Sequence, residues 1–529
     1  MSIERRDAGR LASGLLSLSM ALSGCGNADS KPLYRPTPID QVSPSLKPEA
    51  TAVATPTAIP AETQTSSPTQ EVPLFPEEAT IFTSSPDTLD EIHSSHDVRA
   101  EVNYDQDTVM ATDDLTIINS SDSLLTDVHL SVIPHSTGEW VLDDSPSGST
   151  WENPASLLVP VWLRPNESTT LDFSFAIKPS ANLNNDIDQR LSRANGIMQL
   201  AGWLPLISDG HDVARVGDSQ VTPVADEITV NYVLNRPMFL AAPGELIDYS
   251  GDAKCTDQPY CPWSSISQTY EINDARDLTF SISPNFAVQF QSVGQTMDRI
   301  FYNTKAVSKY TAAGALKSAA LALKTYAQRY GEAYPWPTFT IAESPDANAG
   351  DEWPAIVTIG ENYLSPYVIS HEIAHEWWYA MVGDDQINNP WLDEAFAEFS
   401  ARTLLDLNFT YDSTLSVGLP STNWKDFGCD QRGKCYRNSY GQTIYYKGAA
   451  FLDSLRVTMG DAAFWNAMRE IQTTYHFKIV GQDEVLKAFL ENAPNVDAAV
   501  KKMKSYGFSI VPVEMPSPWD QPVDRRNIR

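Results

Sequence analysis

Two hydrophobic periodicities divide this chain and restrict the folds open to it. From about His93 to Pro284, apolar or β-branched residues tend to recur at every second position, as in Val98-Arg-Ala-Glu-Val-Asn-Tyr104, Thr170-Leu-Asp-Phe-Ser-Phe-Ala176 and Glu227-Ile-Thr-Val-Asn-Tyr-Val233. That period belongs to strands with one buried face. Turn-forming clusters such as Asn119-Ser-Ser-Asp122 and Asp143-Asp-Ser-Pro146 separate the runs. After Pro284 the spacing becomes three and four: Leu316, Ala320, Leu323, Ala327 and Tyr330 make one stripe on a helix over Tyr310 to Tyr330. Tyr334-Pro-Trp-Pro337 ends that helix, Thr338 to Ile341 reads as a strand, and Glu352 to Gly360 as another. Helices follow at about 366–382 and 389–407, with more beginning near Thr443, Asp461 and Gln482. The expected class is α+β and multidomain: an antiparallel β domain over 93–288, then a mainly helical domain over 289–512. His129 and His135 fall in the β part and are assigned to solvent or structural roles.

The ends read differently. Arg5, Arg6 and Arg10 precede a modest apolar run from Leu11 to Leu22, too short to span a bilayer, that closes on Leu22-Ser-Gly-Cys25. This resembles a bacterial lipobox, which implies a signal peptide over 1–24 and lipidation of Cys25, tethering an exported protein to a membrane. Residues 25–92 are rich in Pro, Thr, Ser, Ala and Glu, with too little apolar surface to offset the entropy of ordering, and are expected to form a disordered tether. Residues 513–529 read as a C-terminal tail. The other four cysteines form two pairs, Cys255/Cys261 and Cys429/Cys435, in polar loops. Local disulfides in an oxidising compartment fit them better than a four-cysteine zinc site, whose gaps are usually shorter. A formal net charge of −31 argues against nucleic acid or an anionic surface as an electrostatic partner.

The chemistry concentrates in Ser370-His-Glu-Ile-Ala-His-Glu-Trp-Trp378 and, after a short Gly-Asp-Asp turn, Trp391-Leu-Asp-Glu-Ala-Phe-Ala-Glu398. Residues four apart on a helix share a face, so His371 and His375 can hold one metal ion, with Glu372 placed to act on water as a general base. A catalytic zinc site needs a third protein ligand. Glu394, separated from His375 by eighteen residues, is a candidate, with Asp393, Glu398, Asp384 and Asp385 as alternatives. Glu398, one turn after Glu394, is also suited to accept a histidine N–H.

His-Glu-x-x-His, eighteen residues and then Glu inside Trp-Leu-Asp-Glu-Ala-Phe-Ala resembles the M1 family of zinc aminopeptidases, of the gluzincin type. The resemblance implies one Zn2+ per chain held by His371, His375 and Glu394, with Glu372 as the base. It implies a thermolysin-like catalytic domain behind the β domain. Ala349-Gly-Asp-Glu-Trp353 stands where the family has Gly-Ala-Met-Glu-Asn, so Glu352 corresponds to the glutamate that binds a substrate's free amine. Asp351 and Trp353 depart from that motif. Tyr445-Tyr-Lys-Gly448 resembles the family's Tyr-x-Lys-Gly, which makes Tyr445 the oxyanion donor. The expected function is removal of N-terminal residues from extracytoplasmic peptides, with peptides bearing a free N-terminus as partners. The alternatives are a thermolysin-like endopeptidase, in which Glu352 takes no part, and an inactive cell-surface binding lipoprotein.

Overall fold

In a computed structural model the chain is described at residues 81–83 and 88–510, except 182, 184–189, 211–220, 251–261, 348–349, 412–417 and 420–440. The signal segment, the tail, most of the tether and all five cysteines lie outside the described residues, as does Ala349. No helix among the described residues is long and apolar enough to cross a membrane. Within the stretch 25–92 expected as a tether, residues 81–83 and 89–92 take up secondary structure. Ile81–Thr83 pairs in parallel with the strand Leu124–Ser131, and the apolar side chains of Leu89 and Ile92 are buried in the core.

The alternating runs form the strands expected of them. A seven-stranded sheet contains β1 (Ile92–Asn103), β2 (Thr108–Asn119), β3 (Trp140–Asp144), β4 (Ser168–Ile177), β5 (Ala225–Leu234), β6 (Glu245–Ser250) and β7 (Ser267–Ala275), in the order β6-β7-β5-β1-β2-β4-β3. Its one parallel ladder corrects the expectation of a wholly antiparallel domain. β5 lies beside β1 in the same direction, and more than a hundred intervening residues make the crossover. Two further sheets, of five and four strands, complete the β part. Inside it Trp140, Phe175, Trp203, Tyr232 and Phe280 touch in a chain of ring contacts, and Trp140 Nε1 donates to the Trp203 carbonyl at 3.0 Å. His129 and His135 have local partners: His129 Nε2 meets Glu152 at 2.9 Å, and His135 stacks on Trp151.

The next residues build a mixed five-stranded sheet, in which β8 (Phe286–Val293), β9 (Thr296–Asn303), β10 (Thr338–Glu343), β11 (Gly350–Trp353) and β12 (Ile356–Ile359) stand in the order β8-β9-β10-β12-β11. The strand expected over Glu352 to Gly360 is in fact a tight hairpin, β11 to β12. Pro354 has no N–H for the ladder and Ala355 takes φ 61°, so the chain reverses and pairs Glu352 with Val357. Helix α1 (Lys309–Tyr330) begins where the Ser308 side chain accepts from Thr311 N and ends at Gly331, φ 78°. It buries Leu316, Leu323 and Tyr330 as expected, but Ala319, Ala322 and Tyr326 replace Ala320 and Ala327 at the centre of the stripe. Helices α2 (Pro366–Ala374) and α3 (Trp391–Leu404) follow, then a π-helical turn Gln442–Lys447, α4 (Gly448–Met459), α5 (Asp461–Thr474), α6 (Gln482–Asn492) and α7 (Val496–Ser505). Helix α2 is half the expected length. Beyond Ala374 the backbone bonds shift to Glu376 N→Ile373 O and Ala380 N→His375 O, so the α pattern ends at the second histidine.

One inward pair in the β part is polar: His96 on β1 and Asp113 on β2, both side chains fully buried, meet at 2.9 Å. Removing one partner leaves the other buried and unpaired, a cost of about 3–5 kcal/mol, whereas removing both with apolar residues of similar volume is far cheaper. Urea titrations of Asp113→Ala and of the double variant His96→Leu/Asp113→Leu should separate in that order.

Candidate active site

Helices α2 and α3 run antiparallel and face each other with side chains at every fourth position. Helix α2 is opened by Pro366 and by the Ser365 side chain, which accepts from Val368 N; it presents Tyr367 and His371, and His375 follows at its C-cap. Helix α3 presents Glu394, Glu398 and Arg402. Across the gap Glu398 meets Tyr367 and His371, while Glu394 meets His371 and His375. The expected histidine pair is therefore brought onto the carboxylate expected for it.

The donor distances test whether this set fits a metal. His371 Nε2 lies 3.3 Å from His375 Nε2, and Glu394 Oε2 lies 3.1 Å and 3.5 Å from the two nitrogens. Zinc bonds of about 2.0–2.2 Å in a tetrahedron place donors about 3.3–3.6 Å apart, so these residues fit one zinc ion. His375 Nδ1 donates to the Trp378 carbonyl at 3.2 Å, leaving Nε2 for a metal. A second cluster, Glu352, His375 and Asp393, also comes within ligand distance. It shares His375 with the first set and is an alternative to it, not an addition.

Two of the other third-ligand candidates are engaged elsewhere: Asp393 accepts from Gln386 and from Glu394 N, and Asp385 caps the loop by accepting from Ile387 N and Asn388 N. Asp384 is buried with neither carboxylate oxygen hydrogen-bonded, feels the Arg276 charge, and does not join the donor set of the two histidines. Glu398 takes the supporting place behind His371, with Oε2 at 3.4 Å from Nδ1.

A cavity of about 340 Å³ opens on the donor set and is lined by Glu352, Glu372, His371, Glu394, Tyr445 and others. Glu352 reaches it from β11 and Glu372 from α2. Gly350 leaves room for the Glu372 carboxylate: a Cβ there would stand 2.7 Å from Oε1 and shift it. Tyr445, in the π-helical turn, lays its ring nearly parallel to His371 with centroids 5.5 Å apart, and its hydroxyl donates to Glu394 Oε1. Gly448 permits that approach, because a Cβ there would come within 2.4 Å of Ala395 Cβ on α3. Sequence reasoning missed Tyr363 and Tyr367, which line the cavity, and Arg402 beside it. For Tyr367 and Arg402 the signal was present, since each lies one helical turn from a residue already singled out.

Residues 314–506 match the model of the peptidase family M1 domain. Over that stretch the chain is similar to M1 peptidases. Bovine aminopeptidase N is 28% identical over 198 residues, covering 33% of this chain and 20% of that protein. Chicken aminopeptidase Ey is 30% identical over 138 residues, covering 23% of this chain and 14% of that protein. The matched stretch thus spans a fifth or less of these relatives. Over the whole fold, an M1 zinc metallopeptidase from Deinococcus radiodurans has a TM-score of 0.58 at 17% identity, covering 79% of this chain and 94% of that one.

The donor set is under strong mutual electrostatics. Burial is the largest single influence and would lower both histidines and raise Glu394, but the hydrogen bonds and opposite charges together outweigh it. They hold His371 well above its usual range and Glu394 down at about 2. Asp393 beside them is pushed up to about 7 by burial and by the Glu394 charge. A histidine must lose its proton to bind a metal, so zinc affinity should fall as pH drops through the raised histidine range, with protons released on loading. Calorimetric zinc titration in buffers of different ionisation enthalpy measures that release, and a pH-independent affinity would contradict it. Gly448→Ala should retain zinc yet lower kcat about tenfold or more by displacing the Tyr445 turn, at an overpacking cost of about 1–3 kcal/mol.

Proposed function

We propose that this protein is a zinc-dependent aminopeptidase that removes N-terminal residues from extracytoplasmic peptides. The observation that carries this is the convergence of the His371–His375–Glu394 donor set with Glu372, Glu352 and Tyr445 around one cavity. The likeness of residues 314–506 to the M1 family, and of part of the chain to proteins named aminopeptidase N, supports it. We read the region from α1 onward as thermolysin-like in plan, because the His-Glu-x-x-His helix is followed by an antiparallel helix bearing the third ligand.

His371, His375 and Glu394 would hold the ion. Zinc there supplies Lewis acidity that polarises a peptide carbonyl and acidifies water. Glu372, poised against Gly350, takes a proton from the attacking water and returns it to the leaving amine as the C–N bond breaks. One water is consumed, and an amino acid and a shortened peptide are released. The Tyr445 hydroxyl turns from Glu394 to donate to the carbonyl oxygen as negative charge develops. Glu352, only 6% exposed, offers a buried carboxylate to the substrate ammonium, so the bond next to a free N-terminus is the one presented. The lipobox-like Leu22-Ser-Gly-Cys25 supports export and membrane anchoring through a lipidated Cys25, with 26–80 as the spacer.

Glu372→Gln should keep one zinc per chain by metal analysis and lose about 100- to 10,000-fold in kcat on aminoacyl-coumarin substrates. Undiminished turnover removes Glu372 from the mechanism. N-acetylated peptides should resist cleavage. Because Asp351 and Trp353 depart from the family motif around Glu352, equal cleavage of blocked and free peptides would favour the endopeptidase alternative. Cys25→Ala should move the protein from the membrane to the soluble exported fraction.

A further inference from the structure

Glu398 is a buried carboxylate with an unusual number of donors around it. Its side chain is 1% exposed, Oε1 accepts from Arg402 Nε at 2.6 Å, and Oε2 accepts from the Tyr367 hydroxyl while facing His371 Nδ1 at 3.4 Å. A carboxylate taken out of water keeps its charge only when paired and hydrogen-bonded, and Arg402 is the cation that pairs with it. An exposed i,i+4 ion pair would contribute little, but the Arg402 side chain is itself only 15% exposed.

Arg402 has a second engagement. Its guanidinium carbon lies 4.9 Å from the centre of the Tyr446 ring and 6.0 Å from that of Tyr367, and its terminal nitrogen donates to the Asn408 carbonyl just past α3. Tyr446 immediately follows Tyr445, whose ring lies along His371. One planar cation therefore touches both the carboxylate behind a metal ligand and the turn that carries the oxyanion donor. Arginine suits this double contact because its edge forks onto a carboxylate while its face lies on an aromatic ring.

We propose that Arg402 is a positioning residue that couples the orientation of His371, through Glu398, to the placement of Tyr445, through Tyr446. It touches neither substrate nor metal. The proposal rests on His371 being a zinc ligand as read above, and it adds a link between zinc affinity and turnover. The two contacts are separable. Loss of the carboxylate contact frees the His371 ring, and supporting hydrogen bonds of this kind carry about 10- to 100-fold in metal affinity. Loss of the ring contact frees the tyrosine turn and acts on kcat alone.

The test compares the full-length protein with Arg402→Leu, Arg402→Lys, Glu398→Gln and Tyr446→Leu. The readouts are zinc Kd by chelator competition, the visible spectrum of the Co2+-loaded protein, and kcat and KM separately. Arg402→Leu should weaken zinc binding about 10- to 100-fold, alter the Co2+ spectrum and lower kcat more than it raises KM. Glu398→Gln should reproduce the metal effects. Tyr446→Leu should lower kcat with zinc Kd and spectrum unchanged. Arg402→Lys, which keeps the charge but lacks the planar fork, should recover part of the zinc affinity. Wild-type zinc Kd and Co2+ spectrum in Arg402→Leu would overturn the proposal. If that variant does not fold, wild-type values of both zinc Kd and kcat in Arg402→Lys and Tyr446→Leu overturn it equally. Failure of the wild-type protein to bind zinc at all would instead overturn the functional reading itself.

Discussion

Everything in the site depends on the distance between two short helices. Three side chains on α2, at its C-cap and on α3 must bring donor atoms to within 3.1–3.5 Å of one another, a tolerance smaller than one rotamer change. The helices meet that demand through packing. Tyr326 and Tyr330 of α1 are fully buried; their hydroxyls bond to the Ser370 carbonyl on α2 and to Ser400 on α3. Trp377 and Trp378, just after the second histidine, are buried in ring contacts with Tyr326, Tyr330 and Phe396. The aromatic residues flanking the motif thus hold the histidines' backbone in place, and α1 packs on α2, on α3 and on the sheet.

The β part reaches into this arrangement through Arg276, at the end of β7. Its guanidinium is fully buried and bonds to the Thr222 and Ala380 carbonyls, and Gly383 leaves the space it occupies. The segment between the second histidine and α3 is therefore held from the β side as well as from the helical side. An arginine in such a place is costly to desolvate, which lowers its pKa, and the carbonyls and nearby carboxyl groups offset that cost.

Glycines and small residues set the close approaches. Gly350, on the strand bearing Glu352, leaves room for the Glu372 carboxylate, and Gly448 brings the tyrosine turn against Ala395. Each stands in a motif whose glycine is otherwise unexplained by local conformation, since neither takes a positive φ. Their role is contact between elements, which is why a bulky side chain at either position displaces a neighbour instead of straining its own backbone.

Much of this was legible in the amino-acid sequence, because it follows from local spacing. Period-two runs gave β1, β2, β4 and β5, three-and-four spacing gave α1, and a four-residue interval put His371 and His375 on one face. Spacing could not choose Glu394 over Asp393, Asp384 or Asp385, since all lie on or beside the same short connection; the resemblance to a family made that choice, and the structure places Glu394 within 3.5 Å of both histidine nitrogens. Tertiary structure alone ended α2 at Ala374, folded Glu352 into a hairpin at Ala355, and ran β5 parallel to β1. It alone brought Tyr446 onto Arg402, whose contact with Glu398 one helical turn back is local to α3. The physical reason is range: helix faces and strand alternation are set by neighbours a few residues away, whereas a chain reversal, a strand's partner and a cation shared by two elements are decided by groups that meet only when the core closes.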